Sequence, residues 1–270
     1  MPKLNNKMNL DNIISSVKEI AISTGNFINN ERDVFNISDK EKKGKHNFVT
    51  YVDKESEIRI INYLHKLLPE AGFIAEEGTS KKTNENLNWV IDPLDGTTNF
   101  IHGMPPFAIS IALLYKEKPI LGVIYEIGLN ECFSAHIESK SFLNNKEIKV
   151  SEIHSVNESL IATGFPYTNF SRLKEYFDTM NYFMRNSHGL RRLGSAATDL
   201  AYVACGRCDA FYEYGLNAWD VAAGCIIIEQ AGGKIADFNG KNNYIFGNDI
   251  VATNNNIHNE FVKIINNLMN

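Results

Sequence analysis

Trp89-Val90-Ile91-Asp92-Pro93-Leu94-Asp95-Gly96-Thr97-Thr98-Asn99-Phe100 is the stretch that decides how this chain is read. Its three apolar leaders predict a buried strand. Two carboxylates follow at the strand's end, separated by two residues. Pro93 fixes φ between them and stiffens the turn. Gly96 admits a close approach or a positive φ that other residues resist. Thr97 and Thr98 add hydroxyls. The stretch combines oxygen ligands for a hard cation with a loop able to open a helix, whose first N–H groups attract phosphate. Taken alone, an Asp-Pro-x-Asp-Gly run also fits a plain strand-ending turn, so the remainder of the chain has to decide.

Upstream, Ile13, Ile14, Val17, Ile20 and Ala21 recur at helical spacing and predict a helix over 10–28. Residues 29–47 are polar and carry Lys40, Lys42, Lys43 and Lys45. They read as a solvated loop or as a mobile basic flap beside an anion. Asp53 reads as the N-cap of a helix bearing Ile58, Ile61, Tyr63, Leu64, Leu67 and Leu68. A short strand over 72–75 delivers Glu76 and Glu77. Downstream of the central stretch, 107–114 and 120–125 predict paired strands with 116–119 as their turn, and 131–136 and 141–143 extend that sheet. A second lobe starts near Val150. It holds strands over 160–164, 209–214 and 250–252, and helices over 173–185, 195–205, 218–231 and 258–268. Asp220 falls in the first turn of the helix over 218–231, and Gly232-Gly233 closes it.

The 270 residues suffice for one large domain or two lobes around a substantial core. Hydrophobic residues make up 44% and charged residues 22%, an ordinary globular composition. A net charge of −5 argues against a broad nucleic-acid surface. The N-terminal residues 1–12 lack the apolar core of a secretory signal. The apolar run 107–115 is too short to span a bilayer. Cys132, Cys205, Cys208 and Cys225 are too few for a disulfide framework. Cys205-Gly-Arg-Cys208 has redox or metal spacing, but it lies in an apolar helical pattern without a second pair or a nearby His, and reads as a reduced, partly buried pair. Together these features point to the cytoplasm.

Five acids fall at element ends: Asp53, Glu76, Asp92, Asp95 and Asp220. If they converge, each pair of unit charges at about 4 Å costs roughly 4 kcal/mol at an effective dielectric near 20. Such a cluster calls for cations. An all-oxygen donor set without His or Cys suits Mg²⁺ and disfavours Zn²⁺. Two Mg²⁺ ions sharing Asp92 would polarise a phosphoryl group and acidify a bound water. The implied reaction is hydrolysis of a phosphate ester. Haloacid-dehalogenase-like phosphatases use Asp-x-Asp; the two-residue gap between Asp92 and Asp95 does not match, which favours water over an aspartyl nucleophile. No P-loop, dinucleotide glycine pattern or nucleophile elbow is present in the sequence.

Asp92-Pro-Leu-Asp-Gly-Thr-Thr-Asn-Phe100 and Trp219-Asp-Val-Ala-Ala-Gly224, followed by Glu229-Gln-Ala-Gly-Gly233, resemble the two signatures of the inositol monophosphatase family. Thr50-Tyr-Val-Asp53, Ala75-Glu-Glu-Gly78 and Gly194-Ser-Ala-Ala197 extend the match over nearly the whole chain. The resemblance implies a layered α-β-α-β-α fold of sugar-phosphatase type, one integrated unit with lobes over 1–149 and 150–270 and the site between them. It implies a homodimer, two or three Mg²⁺ per site and inhibition by Li⁺. Glu76, Asp92 and the Leu94 carbonyl would hold the first ion, Asp92, Asp95 and Asp220 the second, and Glu76 would help a third. Thr97, oriented by Asp53, would activate the attacking water, while Asp220 would position the water that protonates the leaving group. The Gly96 and Thr97 N–H groups would face the phosphate. Glu213 and Ala196, with Gly194 and Ser195 beside them, would meet the substrate hydroxyls. Glu77 would sit just outside the inner shell, and Lys42 would reach the site from the flap. Arg191-Arg192 stays open between a helix-end or dimer contact and a substrate clamp.

The implied substrate is inositol 1-phosphate or a related polyol or sugar phosphate. Fructose 1,6-bisphosphate, 3'-phosphoadenosine 5'-phosphate and histidinol phosphate are alternatives within the enzyme class; Thr98-Asn99-Phe100 favours the inositol or sugar-phosphate branch. A non-enzymatic role as an adaptor in transcription complexes is the alternative outside it.

Overall fold

The computed structural model describes residues 8–34, 41–42, 48–80 and 82–269, with only the backbone of 33–34, 41–42 and 48–49. The chain opens with α1 (Leu10–Val34), a two-residue ladder of β1 (Glu41–Lys42) on β2 (Phe48–Val49), and α2 (Tyr51–Leu67). Helix α1 runs six residues past the expected end at 28, into the polar stretch that begins at 29. The side chain of Lys42, together with Lys40, Lys43 and Lys45, lies outside the described residues.

A seven-stranded sheet follows in simple order: β3 (Gly72–Ala75), β4 (Leu87–Asp95), β5 (Ala108–Tyr115), β6 (Lys118–Glu126), β7 (Glu131–His136), β8 (Ser141–Leu143) and β9 (Lys146–Ile148). Only β3 and β4 run parallel. The short helix α3 (Thr97–Ile101) lies between β4 and β5. The β5–β6 turn is tighter than expected. Lys116 and Glu117 alone carry it, both at positive φ, and Lys118 pairs with Tyr115. Two positive φ values in sequence match the twist that a two-residue hairpin needs.

The second sheet has the order β11 (Gly189–Arg191), β10 (Leu160–Thr163), β12 (Ala210–Tyr214), β14 (Asp249–Thr253), β13 (Lys234–Ala236). Helices α4 (Leu173–Arg185), α5 (Ala196–Ala204), α6 (Ala218–Gln230) and α7 (His258–Met269) complete the chain.

The strands' two-residue period sorts the core into layers. Ile109, Ile111 and Leu113 face α1 and α2, alongside Trp89, Ile91 and Val123. Ala108, Ala112 and Leu114 face the opposite way, onto α5 and α6, whose far side meets Phe211, Ile250 and Ala252 of the second sheet. That sheet's outer face packs Tyr212 and Val251 against Tyr176 and Phe183 of α4 and Phe261 and Ile265 of α7. The result is the α-β-α-β-α sandwich. Because α6 is covered by sheets on both sides, its sequence is apolar all round rather than along one stripe. Small residues let the middle layer close: a Cβ on Gly224 would lie 2.5 Å from Leu200, and one on Gly122 would lie 2.6 Å from the Ala223 carbonyl. All four cysteines are free, with Cys208 buried and Cys205 partly so. Among the described residues, no helix is long and apolar enough to cross a membrane.

One local expectation is corrected. Helix α2 starts at Tyr51, so Thr50 is the N-cap and Asp53 is the third helical residue. The Thr50 hydroxyl accepts from the Val52 N–H at 3.1 Å, while Asp53 reaches back to accept the Thr50 N–H at 2.7 Å. This is a capping box with Asp where Glu or Gln is usual.

Candidate metal and phosphate site

In a regular strand, residues three apart point to opposite faces. Asp92 and Asp95 nevertheless converge, because β4 carries a bulge between them. Asp92 pairs with Ser110 while Asp95 pairs with Ala108, so three steps on β4 oppose two on β5. The extra residue restores a common direction. Pro93 has no N–H to lose from the ladder and sits within this irregularity. Asp92 then accepts the Leu94 N–H at 2.9 Å, which fixes the turn from inside.

Two helix starts bring the other aspartates. Asp220 is the third residue of α6, and its Oδ2 accepts the Asn217 N–H at 2.6 Å. Oxygens of Asp92, Asp95 and Asp220 lie within 4.8 Å of one another. Asp53 is the third residue of α2, and its Oδ1 lies 2.9 Å from the Thr97 hydroxyl. That hydroxyl also lies 3.0 Å from the Leu94 carbonyl. Gly96, at φ +89°, makes the corner from β4 into α3.

Elements from the second half of the chain are tied to this corner by named bonds. The Ser195 hydroxyl donates to Asp95 at 2.6 Å, and the Ala197 N–H donates to the same oxygen at 2.7 Å. The Asn99 side chain donates to the Pro106 and Leu193 carbonyls, both at 2.8 Å. Ser110 donates to the Trp219 carbonyl at 3.0 Å, just before Asp220. A cavity of about 160 Å³ opens where these elements meet, and Glu76, Asp92, Asp95, Thr97, Glu213 and Asp220 all line it.

Burial raises the proton affinity of every one of these aspartates. Asp92 stands well above the usual carboxylate range through burial, with Glu76, Asp95 and Asp220 adding like-charge repulsion. Asp220 is raised by burial and then by Asp95 and Glu76. Asp95 is pushed up to about 6 by burial, against the pull of Ser195, the Ala197 N–H and Arg192. Asp53 is raised by burial and pulled back by Thr50 and Thr97. One buried and two half-buried carboxylates that repel one another, with oxygen as the sole donor atom, fit a hard divalent cation. Glu76 lines the cavity and is felt by Asp92 and Asp220, but it is outside the close group of three.

The opposite wall holds the expected substrate side. Gly194 sits at φ +97° before Ser195, the N-cap of α5, and Ala196 opens the helix. Glu213 on β12 is buried and its carboxyl is raised well above its usual range by burial and then by Asp220. Gly164 makes room for it, since a Cβ there would lie 2.0 Å from the Glu213 carboxylate. Arg191 lies on β11 and is exposed. Arg192 lines the cavity, its guanidinium 5.2 Å above the Phe165 ring and bonded to the Tyr167 hydroxyl. Asp199, buried beside the same cavity, is absent from the sequence reading. Its signal was an acid in an otherwise apolar, alanine-rich helix.

The model of the inositol monophosphatase family matches residues 9–270. Nus factor SuhB of Escherichia coli (strain K12) is 40% identical over 235 residues, 87% of this chain and 88% of that protein. The crystal structure of extragenic suppressor protein suhB from Bartonella henselae matches with a TM-score of 0.87 at 34% identity, covering 94% of this chain and 98% of that one. The structure of inositol monophosphatase from Anabaena (Nostoc) matches with a TM-score of 0.83 at 33% identity, covering 96% of each chain. The sequence match and the shared fold agree along nearly the whole length, and this chain belongs to the inositol monophosphatase family.

Proposed function

We propose that the chain is a Mg²⁺-dependent phosphomonoester hydrolase acting on inositol 1-phosphate or a related polyol or sugar phosphate. The observation that carries this reading is the convergence of Asp92, Asp95 and Asp220 beside a Thr97 hydroxyl held by Asp53. Asp92, Asp95 and Asp220 would hold one Mg²⁺; Glu76, Asp92 and the Leu94 carbonyl would hold another, with Glu76 helping a third. Bound there, Mg²⁺ supplies a Lewis acid for the phosphoryl oxygens and lowers the pKa of water.

The protein's own groups do the rest. Thr97 has one proton, directed to Asp53 or to the Leu94 carbonyl, so its oxygen keeps lone pairs for a proton from the attacking water. As Thr97 receives the water's proton it would pass its own hydroxyl proton to Asp53, so the threonine stays neutral and the carboxylate ends as the carboxylic acid. Gly96 and Thr97 line the phosphate end. Asp220 orients the water that protonates the departing alkoxide. Glu213 and Ala196, flanked by Gly194 and Ser195, receive the hydroxyls of the alcohol. Among the described residues, two buried acids, Glu213 and Asp199, share that wall with a single cation, Arg192, and this supports a polyol monophosphate over fructose 1,6-bisphosphate and 3'-phosphoadenosine 5'-phosphate. The same reading carries inhibition by Li⁺, a homodimer with lobes over 1–149 and 150–270, and action in the cytoplasm.

A second reading rests on the Escherichia coli relative, which is named a Nus factor. Under it the chain is a component of a transcription complex, with or without turnover. Phosphate release with Mg²⁺ from inositol 1-phosphate, fructose 1,6-bisphosphate, 3'-phosphoadenosine 5'-phosphate and histidinol phosphate tests both, with Asp95→Asn as the blank. The expected winner in kcat/KM is inositol 1-phosphate. Release from none of them, together with stable co-purification with RNA polymerase, would shift the assignment to the second reading.

A further inference from the structure

Glu57 is a fully buried carboxylate that the proposed reaction does not use. It lies one helical turn after Asp53 on α2. Its Oε2 accepts the Glu77 N–H at 2.7 Å. Its Oε1 accepts the Thr79 N–H at 2.8 Å and the Thr79 hydroxyl at 2.7 Å. Both oxygens are therefore spent on one four-residue loop, Glu76-Glu77-Gly78-Thr79. Gly78 at φ +66° lets that loop curl so that N–H groups on either side of it reach the same carboxylate. The Glu76 N–H is tied separately, to the Ile91 carbonyl at 3.2 Å, one residue before Asp92.

This loop has an electrostatic problem. Glu76 raises the proton affinity of both Asp92 and Asp220, so it stands in the field of like charges. Repulsion alone would swing it away from the cavity. A buried anion that collects three donors from the loop backbone and Thr79 opposes that movement, and charge-assisted bonds of this kind are short and directional. We infer that Glu57 is a positioning residue that clips the Glu76–Thr79 loop against α2 and presets Glu76 for divalent-cation binding. The inference rests on the reading of Glu76 as a cation ligand.

The test is Mg²⁺ binding measured by calorimetry with the metal alone, beside the Mg²⁺ dependence of turnover and the melting temperature in EDTA. Glu57→Gln replaces an oxygen that accepts by an NH₂ that cannot. Thr79→Val removes one donor at an exposed position and leaves the core alone; Thr79→Ser restores the hydroxyl. Changes behind a metal ligand weaken affinity by about 10- to 100-fold. Glu57→Gln is expected to weaken Mg²⁺ binding about tenfold, and Thr79→Val, which loses one hydroxyl hydrogen bond, about threefold. In both, kcat at saturating Mg²⁺ should stay within about twofold of the parent, and Thr79→Ser should bind like the parent. A lowered melting temperature with unchanged Mg²⁺ affinity in both variants would show Glu57 to be merely structural and overturn the inference. Glu76→Gln separates the two levels. Unchanged Mg²⁺ affinity there removes the ligand reading itself, whereas weakened affinity there with unaffected Glu57 and Thr79 variants removes only the clip.

Discussion

The N-termini of α2 and α6 carry the same device with different outcomes. In each, an aspartate at the third helical position turns one oxygen back to the N-cap N–H: Asp53 to Thr50 at 2.7 Å, Asp220 to Asn217 at 2.6 Å. Each aspartate thereby has one oxygen committed to the helix and one available elsewhere. For Asp53 the second oxygen is spent inside the protein, on Thr97. For Asp220 the carboxylate lies within 4.8 Å of those of Asp92 and Asp95. One backbone motif thus fixes a hydroxyl in one place and completes an acidic cluster in the other. What distinguishes them is the neighbour each helix start is packed against, not anything in the motif.

This contrast can be broken most directly at Asp220. Asp220→Asn keeps an oxygen for the Asn217 N–H but removes a charge from the cluster. Activity should fall on the order of 10³-fold, and calorimetric Mg²⁺ binding should weaken with it. The melting temperature in EDTA should hold or rise, because one repelling charge is gone. Turnover close to the parent would contradict the assigned role.

Asp53→Asn should do less and do it differently. Loss of the acceptor behind Thr97 should lower kcat about 10²-fold, with Mg²⁺ affinity within about threefold of the parent. Equal loss of metal binding in the two variants would erase the distinction drawn above.

The smallest effect concerns pH. Asp95 is raised to about 6 in the folded chain, above its unfolded value, and Asp92 and Asp220 are raised as well. A carboxylate raised on folding stabilises below its unfolded pKa, and this contribution is lost as pH rises through the folded pKa. Without metal, these three therefore weigh against the fold at pH 7.5 more than at pH 5. Mg²⁺ binds the ionised form, so its stabilisation should grow across the same window. At a hundredfold excess over Kd, binding adds about 2.7 kcal/mol, or roughly 5 °C or more in a chain of this size. The Mg²⁺-induced shift in melting temperature should be several degrees larger at pH 7.5 than at pH 5, and Asp220→Asn should flatten that difference more than Asp53→Asn does. A shift independent of pH in the parent would dissociate Mg²⁺ binding from these carboxylates.

Much of this was legible in the sequence. The apolar lead into Asp92, the apolar run over 107–114 and the alanine-rich stretch at 195–205 each became the expected element. The layered fold followed from the family resemblance rather than from those stretches. Short strands escaped. β9, β11 and β13 have three residues each and carry few apolar positions of their own, and they exist because a neighbouring strand offers an edge. Asp53 reads as an N-cap because Asp is a good one; Thr50, three residues earlier, competes better and leaves Asp53 to complete the box. The convergence of Asp92 and Asp95 needed the bulge, which no local pattern announces beyond the proline. Glu57 had a faint mark: a charge one turn from Asp53 on the helix face that also carries Ile60 and Leu64, where burial would demand partners.

The middle helices impose a further condition on change. α5 begins where Ser195 and Ala197 grip Asp95, and α6 begins where Asp220 joins Asp92 and Asp95. Both then run between the two sheets, with Gly224 against Leu200 and Gly122 against Ala223. A repacking deep in this layer would therefore be felt at Asp95 and Asp220 as a displacement, not only as lost stability. Drift tolerated in the outer helices is closed to these two, and a search for altered turnover would do as well among the glycines and alanines of the interior as around the rim of the cavity.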